Sequence, residues 1–215
     1  MFWTDSALTR STSLTKETHS LLQVGLRLQT GWLDFDLGAF KRKVENAIVI
    51  RPWTQQDGRK GLSITSTPVL DYLGGTADLR LRIWNLEIAG NLTFTDTKEQ
   101  GNLRRIIPRI TSVSELSFRD QFAGGGLDLK AAIRLKAVSH HDGLQFNPQL
   151  LAYSRQYLSE MPGFTAVDFY SVARLGDAYL TFVWENPFNV NTMVVPYYPL
   201  MSRNIKLGVN WVFTD

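Results

Sequence analysis

The sequence predicts an all-β protein whose antiparallel, up-and-down strands form a transmembrane β-barrel wall of about nine strands, a partial barrel. Three observations predict this class. Runs of alternating apolar and polar residues recur from residue 19 to the end, while helical periodicity is scarce. Short turns alternate with long loops along the chain. Charged residues repeatedly occupy the strand face opposite the apolar one.

Composition narrows the remaining choices. The chain has 215 residues, enough for one large domain or a piece of a bigger one. It has no run of about 18 apolar residues, so no transmembrane helix is predicted, and no signal peptide is visible at its start. The lack of cysteine excludes disulfides and thiolate metal sites. The net charge of +3 comes from scattered basic residues, which disfavours nucleic acid as a partner.

The alternation divides the chain into strands. Residues 1–18, rich in Ser and Thr and without a period, are predicted as an N-terminal loop segment, and residues 19–215 as the barrel domain. In order, the predicted strands are 19–30, 32–50, 61–83, 85–96, 109–119, 127–138, 164–174, 178–186 and 203–213. Pro68 and Gly74-Gly75 interrupt the third strand and predict a kink or bulge there.

The first four strands each carry one apolar face. Their apolar residues are Leu22, Val24, Leu26 and Leu28, then Leu33, Phe35, Leu37 and Ala39, then Ala77, Leu79, Leu81 and Ile83, then Leu86, Ile88, Leu92 and Phe94. In the second strand Asp34 and Asp36 take the opposite face, as Arg80 and Arg82 do in the third. This two-residue period is typical of a strand between two different environments.

The later strands repeat the pattern. The cleanest is 127–138, with Leu127, Leu129, Ala131, Ile133, Leu135 and Ala137 opposite Asp128, Lys130, Ala132, Arg134 and Lys136. The strands at 109–119 and 164–174 each lie between a long loop and a short turn. Leu180, Phe182 and Trp184 form the apolar face at 178–186. The last strand places Ile205, Leu207, Val209, Trp211 and Phe213 on one face.

Loop lengths and charges indicate what lies on each side of the sheet. Turns are predicted at 31, 84–85, 120–126 and 175–177, and long loops at 51–60, 97–108, 139–163 and 187–201, as in outer-membrane barrels. The inner face would carry Arg27, Asp34, Asp36, Arg80, Arg82, Glu87, Asp128, Lys130, Arg134, Lys136 and Lys206. A dry core would not tolerate these charges, so bulk water or a wet lumen is expected there. The apolar face would then meet lipid.

Two further features fit a barrel wall. Aromatic residues near strand ends are typical of interfacial girdles: Trp32, Trp84, Trp184, Tyr197, Tyr198, Trp211 and Phe213. With nine strands, the first and the last run in the same direction, whereas antiparallel closure needs an even number. The sequence therefore predicts part of a wall, with residues 203–213 as its seam.

Four stretches carry a family resemblance. They are Lys16-Glu17-Thr18-His19 through Val24-Gly25-Leu26-Arg27, then 33–48, then Glu185-Asn186-Pro187-Phe188-Asn189, then Pro199 to Phe213. In order and spacing they resemble the C-terminal β-barrel portion of TonB-dependent outer-membrane receptors. Pro187 stands where the family usually has Leu, and Thr214-Asp215 follow Phe213, where the family usually ends.

The resemblance implies a barrel of about 22 strands with an N-terminal plug, although nothing in this chain resembles the plug. It implies receptor-mediated uptake of a scarce nutrient, such as a ferric siderophore, cobalamin or glycan, at the bacterial outer membrane. The implied partners are the lipid bilayer, the missing N-terminal strands and plug, a small-molecule ligand, and the barrel-assembly machinery acting through Arg203–Phe213. No enzymatic activity and no cofactor are implied.

Few residues are candidates for ligand contact. Arg104 and Arg105, with Arg109, could meet an anionic siderophore or a lipopolysaccharide phosphate, although a solvated rim is the commoner role. His140 and His141, before Asp142, could bind a metal or a ligand, although adjacent residues on an extended chain point apart and a solvated loop is commoner. Loops 139–163 and 187–201 are the expected ligand-facing parts. No catalytic or metal-ligating set is assigned.

Two alternatives stay open at this point. One is a self-contained passive pore or structural outer-membrane protein that closes with a strand from residues 1–18 or by forming oligomers. The other is an outer-membrane hydrolase that uses Asp142 and the neighbouring histidines at the top of the barrel.

Overall fold

A computed structural model of the chain describes residues 8–10, 14–54, 60–99, 107–147, 152–191, 193–195, 198–199 and 201–211. Its strands are β1 (Leu8–Arg10), β2 (Thr18–Gln29), β3 (Leu33–Thr54), β4 (Lys60–Ile83), β5 (Leu86–Glu99), β6 (Ile110–Phe122), β7 (Leu127–Val138), β8 (His141–Asn147), β9 (Ala152–Met161), β10 (Phe164–Leu175), β11 (Ala178–Glu185), β12 (Met193–Val195), β13 (Tyr198–Pro199) and β14 (Asn204–Trp211). The described part of the chain contains no helix long and apolar enough to cross a membrane.

One sheet contains the nine strands that the sequence predicts. Its order is β14-β11-β10-β7-β6-β5-β4-β3-β2, and every neighbouring pair is antiparallel. The all-β, up-and-down prediction is therefore confirmed. The sheet is open, with β2 at one edge and β14 at the other.

The pairing register puts the apolar residues of all nine strands on one face. Ile133 lies opposite Leu116, which lies opposite Ile88, and Ile88 in turn faces Leu81, which faces Leu33. Side chains alternate along each strand, so one such row fixes the facing of every other residue. No second layer covers this apolar face in the described residues, and Leu207 on β14 is 80% exposed.

The short turns all lie at one end of the sheet. Trp84 at φ 53 begins the β4–β5 turn, and Gly176 at φ 58 lies in the β10–β11 turn. A single 3₁₀ turn, Ala123–Gly125, joins β6 to β7, so β6 continues three residues beyond the predicted end at 119. The long connections leave from the opposite end, which confirms the predicted sorting of loops.

The loop predictions miss several short strands. Within 1–18, β1 pairs in parallel with β4 at Leu62–Ile64. The pairing of β4 with β5 ends at Leu70. The backbone N–H and C=O groups of β4 beyond that point can therefore pair with β1. The predicted loops 139–163 and 187–201 contain the hairpins β8–β9 and β12–β13. Both hairpins have register shifts, which erase the two-residue period.

The kink predicted at Gly74-Gly75 is wrong. Both glycines pair with β3 and with β5 in an unbroken register. Gly74 is needed for close approach instead, because a Cβ there would lie 2.4 Å from Phe40 Cζ and 2.4 Å from the Phe94 carbonyl oxygen. The irregularity lies at Asn46, which has φ 57 and stands opposite Pro68, between the pairs Glu45–Val69 and Ala47–Thr67.

The Gly74→Ala substitution tests this packing. We expect it to lower the free energy of unfolding by about 1–3 kcal/mol, because the added methyl group overlaps a ring and a backbone oxygen. Urea unfolding in detergent micelles, followed by tryptophan fluorescence, measures the effect. Gly31→Ala is the matched control, since nothing lies within 4 Å of its Cβ position. Equal loss in both variants would contradict the explanation.

Candidate functional site

The face opposite the apolar one is charged. The register places every charge predicted for the inner face on this side of the sheet, including Arg27, Asp36, Arg80, Arg134 and Lys206. A concavity of about 530 Å³ lies along it, lined by residues of six strands, among them Arg27, Asp34, Asp36, Asp78, Arg80 and Arg134. The charged face of the sheet is therefore concave.

Ion pairs join neighbouring strands across this wall. They include Arg82–Glu87 at 3.0 Å, Arg119–Asp128 at 2.7 Å, Lys136–Asp168 at 2.7 Å and Lys206–Glu185 at 2.8 Å. They connect β4 with β5, β6 with β7, β7 with β10, and β11 with β14. Most of the inner charges are thus paired within the wall, as charges removed from bulk water need to be.

Glu115 is the centre of the largest cluster. Its carboxylate lies 2.9 Å from Arg134 Nη2 and 3.4 Å from Lys130 Nζ, and it accepts a hydrogen bond from the Tyr170 hydroxyl. The Tyr170 ring also faces both cations, at 5.2 Å from Arg134 Cζ and 5.5 Å from Lys130 Nζ. The cluster binds β6, β7 and β10 together.

Sequence reasoning missed Glu115, Tyr170 and Asp168. All three lie in strands whose two faces the alternation did not separate, at 109–119 and 164–174. The signal that could have revealed them is the regular spacing of charged residues on β7, the strand that lies between β6 and β10. Once β7 is known to alternate cleanly, its neighbours must present partners to Lys130, Arg134 and Lys136.

The β3–β4 part of the wall is less well paired. Asp36 lies directly opposite Asp78, and neither forms an ion pair with any residue that the structure describes. Asp34 Oδ1 is buried and has no hydrogen-bond partner there. Like charges in register repel each other, and Arg27 on β2, which lies opposite Asp36, offsets this repulsion.

A side-chain relay lies at the long-loop end of β2. The Glu17 carboxylate accepts the Ile48 backbone N–H at 2.8 Å and contacts His19 Nε2. Arg42 Nη2 donates to His19 Nδ1 at 3.0 Å. Arginine can only donate, so His19 Nδ1 accepts and His19 Nε2–H donates to Glu17. The Ile48 N–H, more than any other contact, holds the pKa of Glu17 below its usual range.

The predicted ligand candidates have different outcomes. Arg104 and Arg105 lie outside the described residues. Arg109 lies 3.8 Å from Asp96 and faces the Phe94 ring at 5.4 Å. His140 is exposed.

His141 and Asp142 do not lie in a solvated loop. They begin β8 and are 8% and 6% exposed, because residues 141–147 form a hairpin with β9 that pairs His141 with the buried Met161. His141 Nδ1 contacts the Ser139 carbonyl at 3.1 Å. In the part of the chain that the structure describes, no group of three His, Asp or Glu side chains could hold a metal ion.

The sheet has the fold of the barrel portion of TonB-dependent outer-membrane receptors. The FrpB iron transporter from Neisseria meningitidis superposes with a TM-score of 0.66 at 14% identity over 95% of this chain and 32% of its own. The copper transporter OprC gives 0.71 at 15% identity over 94% and 32%. The pyoverdine outer membrane receptor FpvA from Pseudomonas aeruginosa gives 0.67 at 12% identity over 93% and 30%.

These similarities concern the fold. The chain spans about a third of the length of the solved structures it matches. No protein-family model and no curated protein matches the sequence. The predicted barrel wall is thus confirmed in architecture.

Glu115→Gln tests the cluster on β6, β7 and β10. We expect a loss of about 1–3 kcal/mol in the free energy of unfolding, because two partly buried cations lose their carboxylate. Glu87→Gln is the control and should cost less than about 1 kcal/mol, since Glu87 is 36% exposed against 19% for Glu115. Urea unfolding of both variants measures the two losses in the free energy of unfolding. Similar costs would show that Glu115 is an ordinary surface partner.

The Glu17 relay predicts a pH effect. A carboxyl whose pKa is lowered in the folded state stabilises that state above its ordinary pKa and stops doing so as pH falls through the lowered value. We therefore expect the Ile48 amide to lose protection from hydrogen exchange progressively below pH 4.5. Mass spectrometry of exchange measures this. In Glu17→Gln protection should be lower at neutral pH and independent of acidification, whereas Glu45→Gln should behave as the unmodified chain does.

Proposed function

We propose that this chain forms the C-terminal wall of a bacterial outer-membrane receptor that takes up a scarce nutrient, and that further strands and a plug complete it. One observation carries the proposal. A single-layered sheet of nine strands has a continuous uncovered apolar face on one side and a charged, concave face on the other. Such a sheet suits a wall between lipid and a wet lumen.

The dimensions of the apolar face support a lipid boundary. With a rise of about 3.4 Å per residue and a tilt of about 40°, the run from Leu127 to Ala137 spans roughly 26 Å along the barrel axis, close to the apolar band of about 25 Å in outer-membrane barrels. On β3 the same face becomes charged at Lys41 and Lys43, and Lys43 Nζ lies 2.5 Å from Glu45. Exposed tryptophans, Trp32, Trp84 and Trp211, lie at the short-turn end.

The direction of the edge strands supports completion by further strands. In this sheet β2 and β14 run the same way, since an even number of antiparallel steps separates them. Antiparallel closure then requires additional strands that begin and end in the opposite direction. A second copy of this sheet in the same membrane orientation would instead place parallel strands at both junctions. A passive pore closed by residues 1–18 finds no support, because β1 pairs with β4 rather than with an edge strand.

The long-loop end supports ligand capture. Both extra hairpins project there, and β12 contacts β8 and β9, while β9 contacts β3. These elements belong to the loops predicted to face a ligand. The structural neighbours are an iron transporter, a copper transporter and a pyoverdine receptor, none of which is an enzyme. Among scarce nutrients we therefore favour a metal or its chelate, such as a ferric siderophore, over cobalamin or a glycan.

Single-cysteine labelling tests the topology, and the chain has no native cysteine to interfere. In intact cells, a polymer-linked maleimide should react with Phe188→Cys at the long-loop end. Trp84→Cys should react only after the outer membrane is permeabilised, because the short turns face the periplasm. Leu207→Cys should resist this water-soluble reagent in both cases. Equal reaction of Phe188→Cys and Trp84→Cys in intact cells would refute the proposed orientation.

Gene deletion tests the uptake. We expect cells that lack the chain to grow normally in rich medium and to grow poorly when a single nutrient, iron first and then copper or cobalamin, is limiting. Complementation with the unmodified gene should restore growth. A deletion that grows normally under each limitation would contradict nutrient uptake.

A further inference from the structure

The inner wall changes character near the long-loop end of β2–β5. From Arg27 towards the short-turn end, the inner face of these strands is charged. Gly25 lies opposite Gly38 in the next row of inward residues, and beyond them the inner face carries fewer charges and includes the aromatic Phe40 and Tyr72. There Arg42 is flanked in register by Leu21 on β2 and Tyr72 on β4. One guanidinium is thus set among apolar and aromatic side chains.

The surroundings of Arg42 are well ordered by packing. On one side, Val44 lies opposite Leu70, and these are 4% and 5% exposed. On the other side, the Phe40 ring lies over Gly74, where no side chain could fit. A concavity of about 410 Å³ opens between these walls, and its lining includes Glu17, His19, Phe40, Arg42, Leu70 and Tyr72. This volume is in the range of small-molecule sites.

Arg42 lies near the Glu17 carboxylate but is not paired with it. Its one hydrogen bond within the described residues goes to His19 Nδ1, and it forms no ion pair there. Glu17 is the nearest acidic group of the relay, and its two oxygens already serve Ile48 and His19. Guanidinium has five N–H donors in a planar fork, so Arg42 has donors left to offer. His19 is a positioning residue that fixes the direction of this fork.

We propose that this concavity binds a ring-bearing organic anion, with the anionic group on Arg42 and the ring against Phe40 and Tyr72. An exposed guanidinium beside apolar walls matches such a ligand in both charge and shape. The inference rests on the proposed function, which puts the concavity at the outer opening of the receptor, and it adds the chemical class of the ligand.

Titration of the full chain in detergent micelles tests the site. The probe is salicylate, followed by ligand-observed NMR, with salicylamide as a neutral ring and acetate as an anion without a ring. We expect salicylate to bind more tightly than either. Arg42→Gln should weaken salicylate binding about tenfold or more and leave salicylamide binding unchanged. Tyr72→Leu should weaken both ring-bearing probes.

Lys43→Gln is the matched control, because it removes one positive charge from the adjacent residue on the opposite face of β3. Salicylate binding should stay within about twofold of the unmodified chain there. Arg42→Lys, which keeps the charge but loses the fork, should give an intermediate affinity. Circular dichroism of each variant verifies that the β-sheet is intact, and Arg42→Lys serves as the reference should Arg42→Gln fail to fold.

Three results would overturn the inference: equal binding of salicylate and acetate, no effect of Arg42→Gln, or an equal effect of Lys43→Gln. Its failure is distinguishable from failure of the proposed function. If cysteine labelling gives the expected topology and Arg42 has no effect on salicylate, only the ligand site is refuted. If labelling fails while Arg42 still governs salicylate binding, the site stands and the receptor proposal does not.

Discussion

The pairing register is the constraint on which the rest of the structure depends. Because side chains alternate along a strand, a slip of one residue between any two strands would exchange the apolar and charged faces of everything beyond it. The register is continuous from β2 to β14, and the two-residue turn after Ile83 leaves it little freedom. The register that is set in each hairpin thus keeps the apolar and charged faces separate across the whole sheet.

The ion pairs of the inner face depend on that register. Lys136 meets Asp168, and Arg134 meets Glu115, only because the strands bring these residues to the same level. The pairs in turn penalise a slip, since a shifted strand would leave charges unpaired in a restricted space. The apolar face specifies the facing of each strand, and the charged face specifies its partner.

The sequence predicts the wall well because each of its nine strands is long enough to show a period. It predicts the rest poorly for identifiable reasons. The hairpins that contain His141 and Met161 are short and shifted, so no period survives. The need for Gly74 arises from the Phe40 ring on another strand, and the role of Glu115 arises from three strands at once. Alternation reports the face of a residue, whereas these features depend on which residue lies beside it.

The length of β3 and β4 has a consequence for how the protein can change. Beyond Ala47 and Thr67 these two strands pair with each other, while β2 and β5 have already ended, and the short β1 pairs with β4 there. Substitutions in this projecting ribbon do not touch the register of the wall. Sequence change in this ribbon can therefore accumulate while the pairing of the nine-stranded wall beneath it stays the same.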